Sequence, residues 1–151
     1  MPGQKMDLEG MVALLESQSV GRLAMDNNGQ PYIVPLHYLY ETGKIYFHSK
    51  KDGLKISCLI ANPQVCFEVD EVISISSGTI ACNFRTNYRS VLAFGTARIL
   101  EDLAEKAAVT DRLVEKDARG NSFKTPSEKA LENVAIVEIS VTGMTGKARE
   151  D

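Results

Sequence analysis

The chain has little of the chemistry that binds metals. Only two of its 151 residues are histidine, His37 and His48. That count excludes a histidine-rich metal site or a zinc finger. The three cysteines, Cys58, Cys66 and Cys82, form no C-x-x-C pair, and an odd number without that spacing reads as reduced thiols. A basic excess is missing: 17 Lys and Arg stand against 20 Asp and Glu, for a net charge of −3. The footprint of a nucleic-acid binder is therefore absent, and no nucleic acid is expected as a partner. No apolar run approaches the roughly 20 residues of a membrane span, so no membrane partner is expected. The opening MPGQKMDLEG lacks the apolar h-region of a secretory signal, which makes the expected location the cytoplasm. The P-loop, G-x-G-x-x-G and G-x-S-x-G motifs are all missing. Whatever chemistry the chain performs must come from elsewhere, with a bound cofactor the first choice.

Hydrophobic residues at 44% and charged residues at 25% are ordinary globular usage, and the length suits a single domain over residues 1–151. Leu8, Met11, Val12 and Leu15 recur at helical spacing within Met6 to Gln18, with Asp7 as a cap. Gly21 to Asp26 reads as a strand, and Asn27-Asn28-Gly29 as a turn. Pro31 to Glu41 reads as one long strand with Tyr32, Val34, Leu36, Tyr38 and Tyr40 on one face. Ile33, Pro35, His37 and Leu39 point the other way, and Pro35 demands a bulge or a free edge. Thr42-Gly43 turns the chain into a strand over Lys44–Ser49, which completes a hairpin.

Leu54 to Ala61 is a short helix ended by Asn62-Pro63, and Gln64 to Glu71 is a strand. Val72 to Thr86 is readable either as strand or as loop. Arg89 to Leu100 is a strand whose Gly95 suggests a bulge or a close backbone approach. Glu101 to Ala118 is a helix with Leu103, Ala107, Val109 and Leu113 against a charged face. Pro126 opens a further short helix, Val134 to Val141 closes the sheet, and Thr142 to Asp151 is a polar tail. About six strands with peripheral helices make an α+β domain on an antiparallel sheet or barrel.

The informative block is Gly29 to Lys55, GQPYIVPLHYLYETGKIYFHSKKDGLK. It is a hairpin running into a basic, glycine-containing loop and then a helix start. Free backbone N–H groups and the helix dipole favour an anion there, and Lys50, Lys51 and Lys55 add charge. Ser49 and His48 can add hydrogen-bond donors. On spacing alone a phosphate cradle and a solvated lysine loop both remain open.

This block resembles the flavin-binding hairpin of the pyridoxamine 5′-phosphate oxidase-like split β-barrel family. ANPQVCFEVDE (Ala61–Glu71), YRSVLAFGTARIL (Tyr88–Leu100) and VEISVTGMTGK (Val137–Lys147) resemble later strands of that family in the same order. The nearest subgroup is the 5-nitroimidazole-resistance (Nim-like) flavoproteins. The resemblance implies a six-stranded antiparallel split β-barrel that binds FMN, or FAD, in a homodimer with the cofactor at the subunit interface. It implies that Val34, Pro35, Leu36 and His37 flank the flavin, that Phe47, His48 and Ser49 continue that wall, and that Lys55 binds the phosphate. The resemblance also implies that Ser90, with the backbone of Val91, makes a polar contact to the flavin. Lys147 or Arg89 of a neighbouring subunit is the suggested cation near the flavin's N1 and C2=O.

The implied activity is flavin-dependent reduction of a small molecule, with nitroimidazole-type nitro reduction the specific case and His37 the proton source. Two departures matter. Leu54 replaces a second phosphate-binding arginine of the true oxidases, with Lys50 or Lys51 as stand-ins, and the tail lacks their arginine–histidine pair. Pyridoxamine phosphate oxidation itself is therefore not expected. Two other readings stay open: a haem-binding or haem-degrading split barrel using one of the histidines, and a flavin-binding module without turnover.

For single residues the plainer readings are these. His37 can be a half-buried histidine bonded to a backbone carbonyl, and His48 can be a surface residue. Tyr32, Tyr38, Tyr40 and Tyr46 build the barrel wall or a dimer contact. Cys58 and Cys66 are small core residues.

Overall fold

The computed structural model describes residues 3–150. Its first long element is helix α1 (Leu8–Ser17), preceded by a two-residue strand β1 (Gln4–Lys5). Asp7 caps α1 by accepting from the Gly10 amide at 2.8 Å. The helix buries Met11, Leu14 and Leu15.

Two hairpins follow. Strand β2 (Val20–Asn27) turns through Asn28 and Gly29 into β3 (Gln30–His37). Strand β4 (Leu39–Glu41) turns through Thr42 and Gly43 into β5 (Lys44–Lys50). All four turn residues have positive φ, the two-residue geometry that matches strand twist.

The single strand expected over Pro31–Glu41 is interrupted at Tyr38. Its amide bonds to the Ser19 carbonyl at 3.3 Å, and its ring is buried with the hydroxyl donating to the Leu15 carbonyl at 2.5 Å. Beyond Val20 there is no β2 left to pair, so the chain changes partner to β5. Strand β3 pairs only with β2 and forms a sheet edge. The free edge, rather than a bulge, accommodates Pro31 and Pro35.

Helix α2 (Leu54–Ala61) then leads into β6 (Gln64–Ser76). A single 3₁₀ turn at Ala81–Asn83 separates β6 from β7 (Arg85–Ile99). The ambiguous stretch Val72–Thr86 is therefore strand at both ends and loop between them: Ser76 pairs with Arg85 and Ile75 with Thr86. Helix α3 (Leu103–Ala118) is capped by Asp102, and α4 (Glu128–Glu132) by Ser127. Pro126 thus lies just before the cap of α4 rather than in its first turn.

Strand β8 (Val134–Arg149) includes most of the expected polar tail. Tyr88 pairs with Arg149, and Lys5 of β1 pairs with Lys147, which holds that segment extended. Asp151 lies outside the described residues.

The sheet runs β3-β2-β6-β7-β8-β5-β4, with β1 added on β8. Among the described residues there are eight strands where six were expected, and the two extra ones, β1 and β4, have only two and three residues. All pairings are antiparallel and the sheet is not closed, as in a split-barrel α+β fold. A bulge falls where Gly95 of β7 meets β8: Phe94 pairs with Gly143 and Gly95 with Val141, leaving Thr142 extra.

The main core lies on one side of the sheet and includes Leu23, Phe47, Phe67 and Val137. A second core, Tyr46, Leu100, Val109, Leu113 and Ile136, joins α3 to the other side. Covering on both sides is why Ile45, Tyr46 and Phe47 are consecutive and all buried. The inner side of α3 also carries Lys106, whose ammonium donates to the Leu131 and Val134 carbonyls, whereas the expected inner residue Leu103 is exposed. Among the described residues no helix is long and apolar enough to cross a membrane.

Candidate functional site

The site is built first from β5 and α2. Ser49 shares the inner face of β5 with the buried Phe47. Five residues after Ser49, α2 begins at Leu54. Gly53 caps it at φ 143° with no side-chain hydrogen bond, so the first-turn N–H groups have no side-chain partner. That φ is the reason for glycine here.

Lys55 rises from this first turn. Its Nζ stands 3.5 Å from Ser49 Oγ, at the long limit of a hydrogen bond, and 5.9 Å from the Phe47 ring centroid. Burial pushes the Lys55 pKa below the usual lysine value. Other cations have carboxylate partners: Arg22 pairs with Glu68 and Asp70, Lys44 with Glu138, Arg112 with Glu41. Among the described residues Lys55 has none. A partly buried cation beside a hydroxyl and an uncapped helix start has the chemistry to hold an anion. The suggested stand-ins for the missing arginine are placed differently. Lys51 donates to the Glu132 carbonyl at 3.2 Å, toward α4, and Lys50 is exposed.

A second group of residues lies on the outer face of β3, β2, β6 and β7. The β3 side chains alternate as expected: Val34 and Leu36 pack on the core, while Pro35 and His37 point out. Register then aligns residues across the strands. Ile33, Ala24, Cys66 and Phe94 form one row, and Pro35, Arg22, Glu68 and Leu92 the next. Ser90 shares this outer face with Leu92. Val91 points inward and is fully buried, so only its backbone is available to a ligand. His37 Nδ1 lies 3.7 Å from Asp117 Oδ1 of α3.

One chain does not gather all the expected residues. Lys55 and Ser49 sit on the inner side of the sheet near one end of β8, with Ser49 paired to Ala135. Ser90 pairs with Lys147, far along the same strand. Ser90 lines a cavity of about 470 Å³ together with Lys147 and the methionines Met6, Met11 and Met144. Arg89 is already paired with Glu150 and, at 3.9 Å, with Glu71. Of the two suggested cations, only Lys147 has no carboxylate partner among the described residues.

His48 points away from Ser49, as alternation requires, and lines a cavity against α3 and α4 with Thr110 and Asp117. The sequence reading missed these two residues. Their signal was the spacing of Thr110, Leu113, Val114 and Asp117, which puts them on one helix face.

The fold recurs in solved structures. A candidate 5-nitroimidazole antibiotic resistance protein from Bacteroides thetaiotaomicron is 24% identical, with a TM-score of 0.83 over 97% of this chain and 89% of that one. A FAD-binding protein from Mesorhizobium loti is 26% identical, with a TM-score of 0.75 over 99% of this chain and all of that one. A FAD and haem binding protein from Mycobacterium smegmatis is 16% identical, with a TM-score of 0.87 over 96% of this chain and 72% of that one. No curated protein matches the chain. The family model described as pyridoxamine 5′-phosphate oxidase matches residues 7–148. With the antiparallel split sheet and the strand–loop–helix at Lys55 in place, the chain belongs to the pyridoxamine 5′-phosphate oxidase family.

Proposed function

We propose that this protein binds FMN in a homodimer and uses it to reduce a small molecule, with nitro compounds of the nitroimidazole type as the substrate class. The observation that carries the reading is Lys55, a partly buried cation without a carboxylate partner at the uncapped start of α2. It fits a phosphate monoester better than a structural ion pair, because no carboxylate among the described residues neutralises it. The flavin-binding and nitroimidazole-resistance proteins that share the fold support the same reading.

In this reading Lys55, Ser49 and the first-turn amides of α2 hold the phosphate. Pro35 and His37 line the ring side, and His37 beside Asp117 supplies a proton. The separation of Ser49 and Lys55 from Ser90 and Lys147 supports two chains per site, each giving one group. Bound flavin would supply the electron transfer, and the protein its orientation and electrostatics.

The test is the visible spectrum of the purified chain before and after adding FMN. Flavin bands that survive desalting in the parent and are lost in Lys55→Ala, with an unchanged circular-dichroism spectrum, are the expected result. Acid release and chromatography of the bound flavin distinguish FMN from FAD. A chain that takes up haem with a Soret band but leaves flavin in solution would overturn the reading and direct attention to His37 and His48. Turnover is measured with NADH or NADPH and a nitroimidazole acceptor.

A further inference from the structure

One cavity lies apart from the proposed phosphate cradle at Ser49 and Lys55. It has a volume of about 270 Å³ and lies between β5, α3, α4 and the start of β8. Its walls are largely apolar, built from Leu113, Val114, Leu131 and Ile136. Three polar side chains enter this lining: His48 from β5, and Thr110 and Asp117 from one face of α3. Thr110 Oγ1 is buried and has no hydrogen-bond partner among the described residues. A helical threonine normally returns such a bond to its own backbone. An unpaired buried hydroxyl is costly and calls for a partner. Asp117 adds the one carboxylate, about half exposed, with His37 3.7 Å away.

We propose that this cavity is a second small-molecule site, for a compact single-ring amine. The ring would occupy the apolar walls, the cation would face Asp117, and the donor hydrogens would reach Thr110 and His48. An apolar cavity of about 150 Å³ already holds a benzene ring, so 270 Å³ leaves room for a short aminoalkyl arm. A half-exposed carboxylate at the mouth of an otherwise apolar cavity favours a cation over a neutral molecule of the same shape. The site uses neither Ser49 nor Lys55, which lie on the opposite side of β5; it shares Asp117, beside His37, with the flavin reading but does not depend on flavin being bound.

Benzylamine and toluene are the probes, titrated into the full-length ¹⁵N-labelled protein and followed through its amide NMR spectrum. Benzylamine is expected to give saturable shifts at the amides of Thr110, Leu131 and Ile136. Asp117→Asn is expected to weaken benzylamine about tenfold and leave toluene unchanged. Ala130→Trp, at a lining position, is expected to fill the cavity and abolish both. If that variant does not fold by circular dichroism, Val114→Phe makes the same test from the α3 side. Thr110→Val separates a structural role from a ligand role: it raises the melting temperature in either case, but weakens benzylamine only if the hydroxyl meets the ligand. No saturable shift up to several millimolar, or shifts that survive the filling variants, would overturn the site. Toluene binding as tightly as benzylamine, or no effect of Asp117→Asn, would overturn the amine assignment.

Discussion

The Lys116 ammonium sits 4.2 Å from the centroid of the Tyr38 ring and donates to the carbonyls of Gln18 at 2.6 Å and Tyr38 at 2.9 Å. One side chain of α3 therefore closes the point where α1 ends and β3 gives way to β4. The stem lies along the surface and the charge meets two carbonyls that would otherwise lack a donor. Lys116→Met keeps the stem and removes the donors. It is expected to cost roughly 2 kcal/mol, which lowers the melting temperature by roughly 4–8 °C at this chain length. Thermal unfolding followed by circular dichroism measures it. A melting temperature within a degree of the parent would mean that the α3 contact does not hold the strand break.

Lys55 gives the opposite sign. In the flavin-free chain its charge is partly buried without a carboxylate, and its pKa is lowered. Lys55→Met is expected to raise the melting temperature of the flavin-free protein while removing its affinity for FMN, as for a residue kept for binding rather than folding. The pH dependence follows from the same shift. Phosphate needs the charged amine, and a lowered folded pKa empties that form at pH values below 10.5. FMN affinity is thus expected to fall as pH rises through the alkaline range up to 10.5. Lys55→Arg, whose guanidinium stays charged, should flatten that fall. Fluorescence titration of FMN at a series of pH values measures both. A parent affinity that is constant to pH 10.5 would remove Lys55 from the phosphate site.

Gly95 is required by contact rather than by φ. A Cβ built there would lie 2.4 Å from the Ser140 carbonyl oxygen and 2.8 Å from Ile139 Cγ2. Both belong to the paired strand β8, which cannot withdraw without opening the bulge at Thr142. Gly95→Ala is expected to cost about 3 kcal/mol and to lower the melting temperature by roughly 6–12 °C. Gly143→Ala, with nothing within 4 Å of its Cβ, is the control expected to do far less.

How much of this was legible depended on range. The boundaries of α2 are those read from Gly53 and Asn62-Pro63, because both signals are local. The two hairpin turns were legible for the same reason. The outward alternation of Pro35 and His37 followed from period two. The break at Tyr38 was not legible, because it depends on Ser19 and Leu15 from other elements. The segments Val72–Ser76 and Arg85–Tyr88 extend only by pairing with each other across a turn, and their apolar side chains gave no clean alternation. The polar residues after Val141 became strand because β7 and β1 supply partners. In the site, Ser49 and Lys55 are six residues apart and were readable together, whereas the placing of Asp117 beside His37 needed the return of α3 over the sheet.

The outer face of β3, β2, β6 and β7 carries the last prediction. Ile33 is 60% exposed, Phe94 43% and Leu92 39%, and register sets them in adjoining rows with Pro35 and the Arg22–Glu68 pair. His37 and Ser90 share this face. Apolar side chains beside candidate ligand contacts suit a surface covered by a second copy. Sedimentation velocity is expected to give a particle about twice the 16.6 kDa of the chain. Phe94→Asp places a charge at the β7 end of that face and is expected to weaken the dimer by roughly 3 kcal/mol, more than a hundredfold. Since Phe94 points outward at the end of its row, the variant should keep its circular-dichroism spectrum and its cooperative melt. Loss of flavin together with dissociation would place this face at the flavin site. A Phe94→Asp chain that stays dimeric and keeps its flavin would move the interface to another part of the sheet.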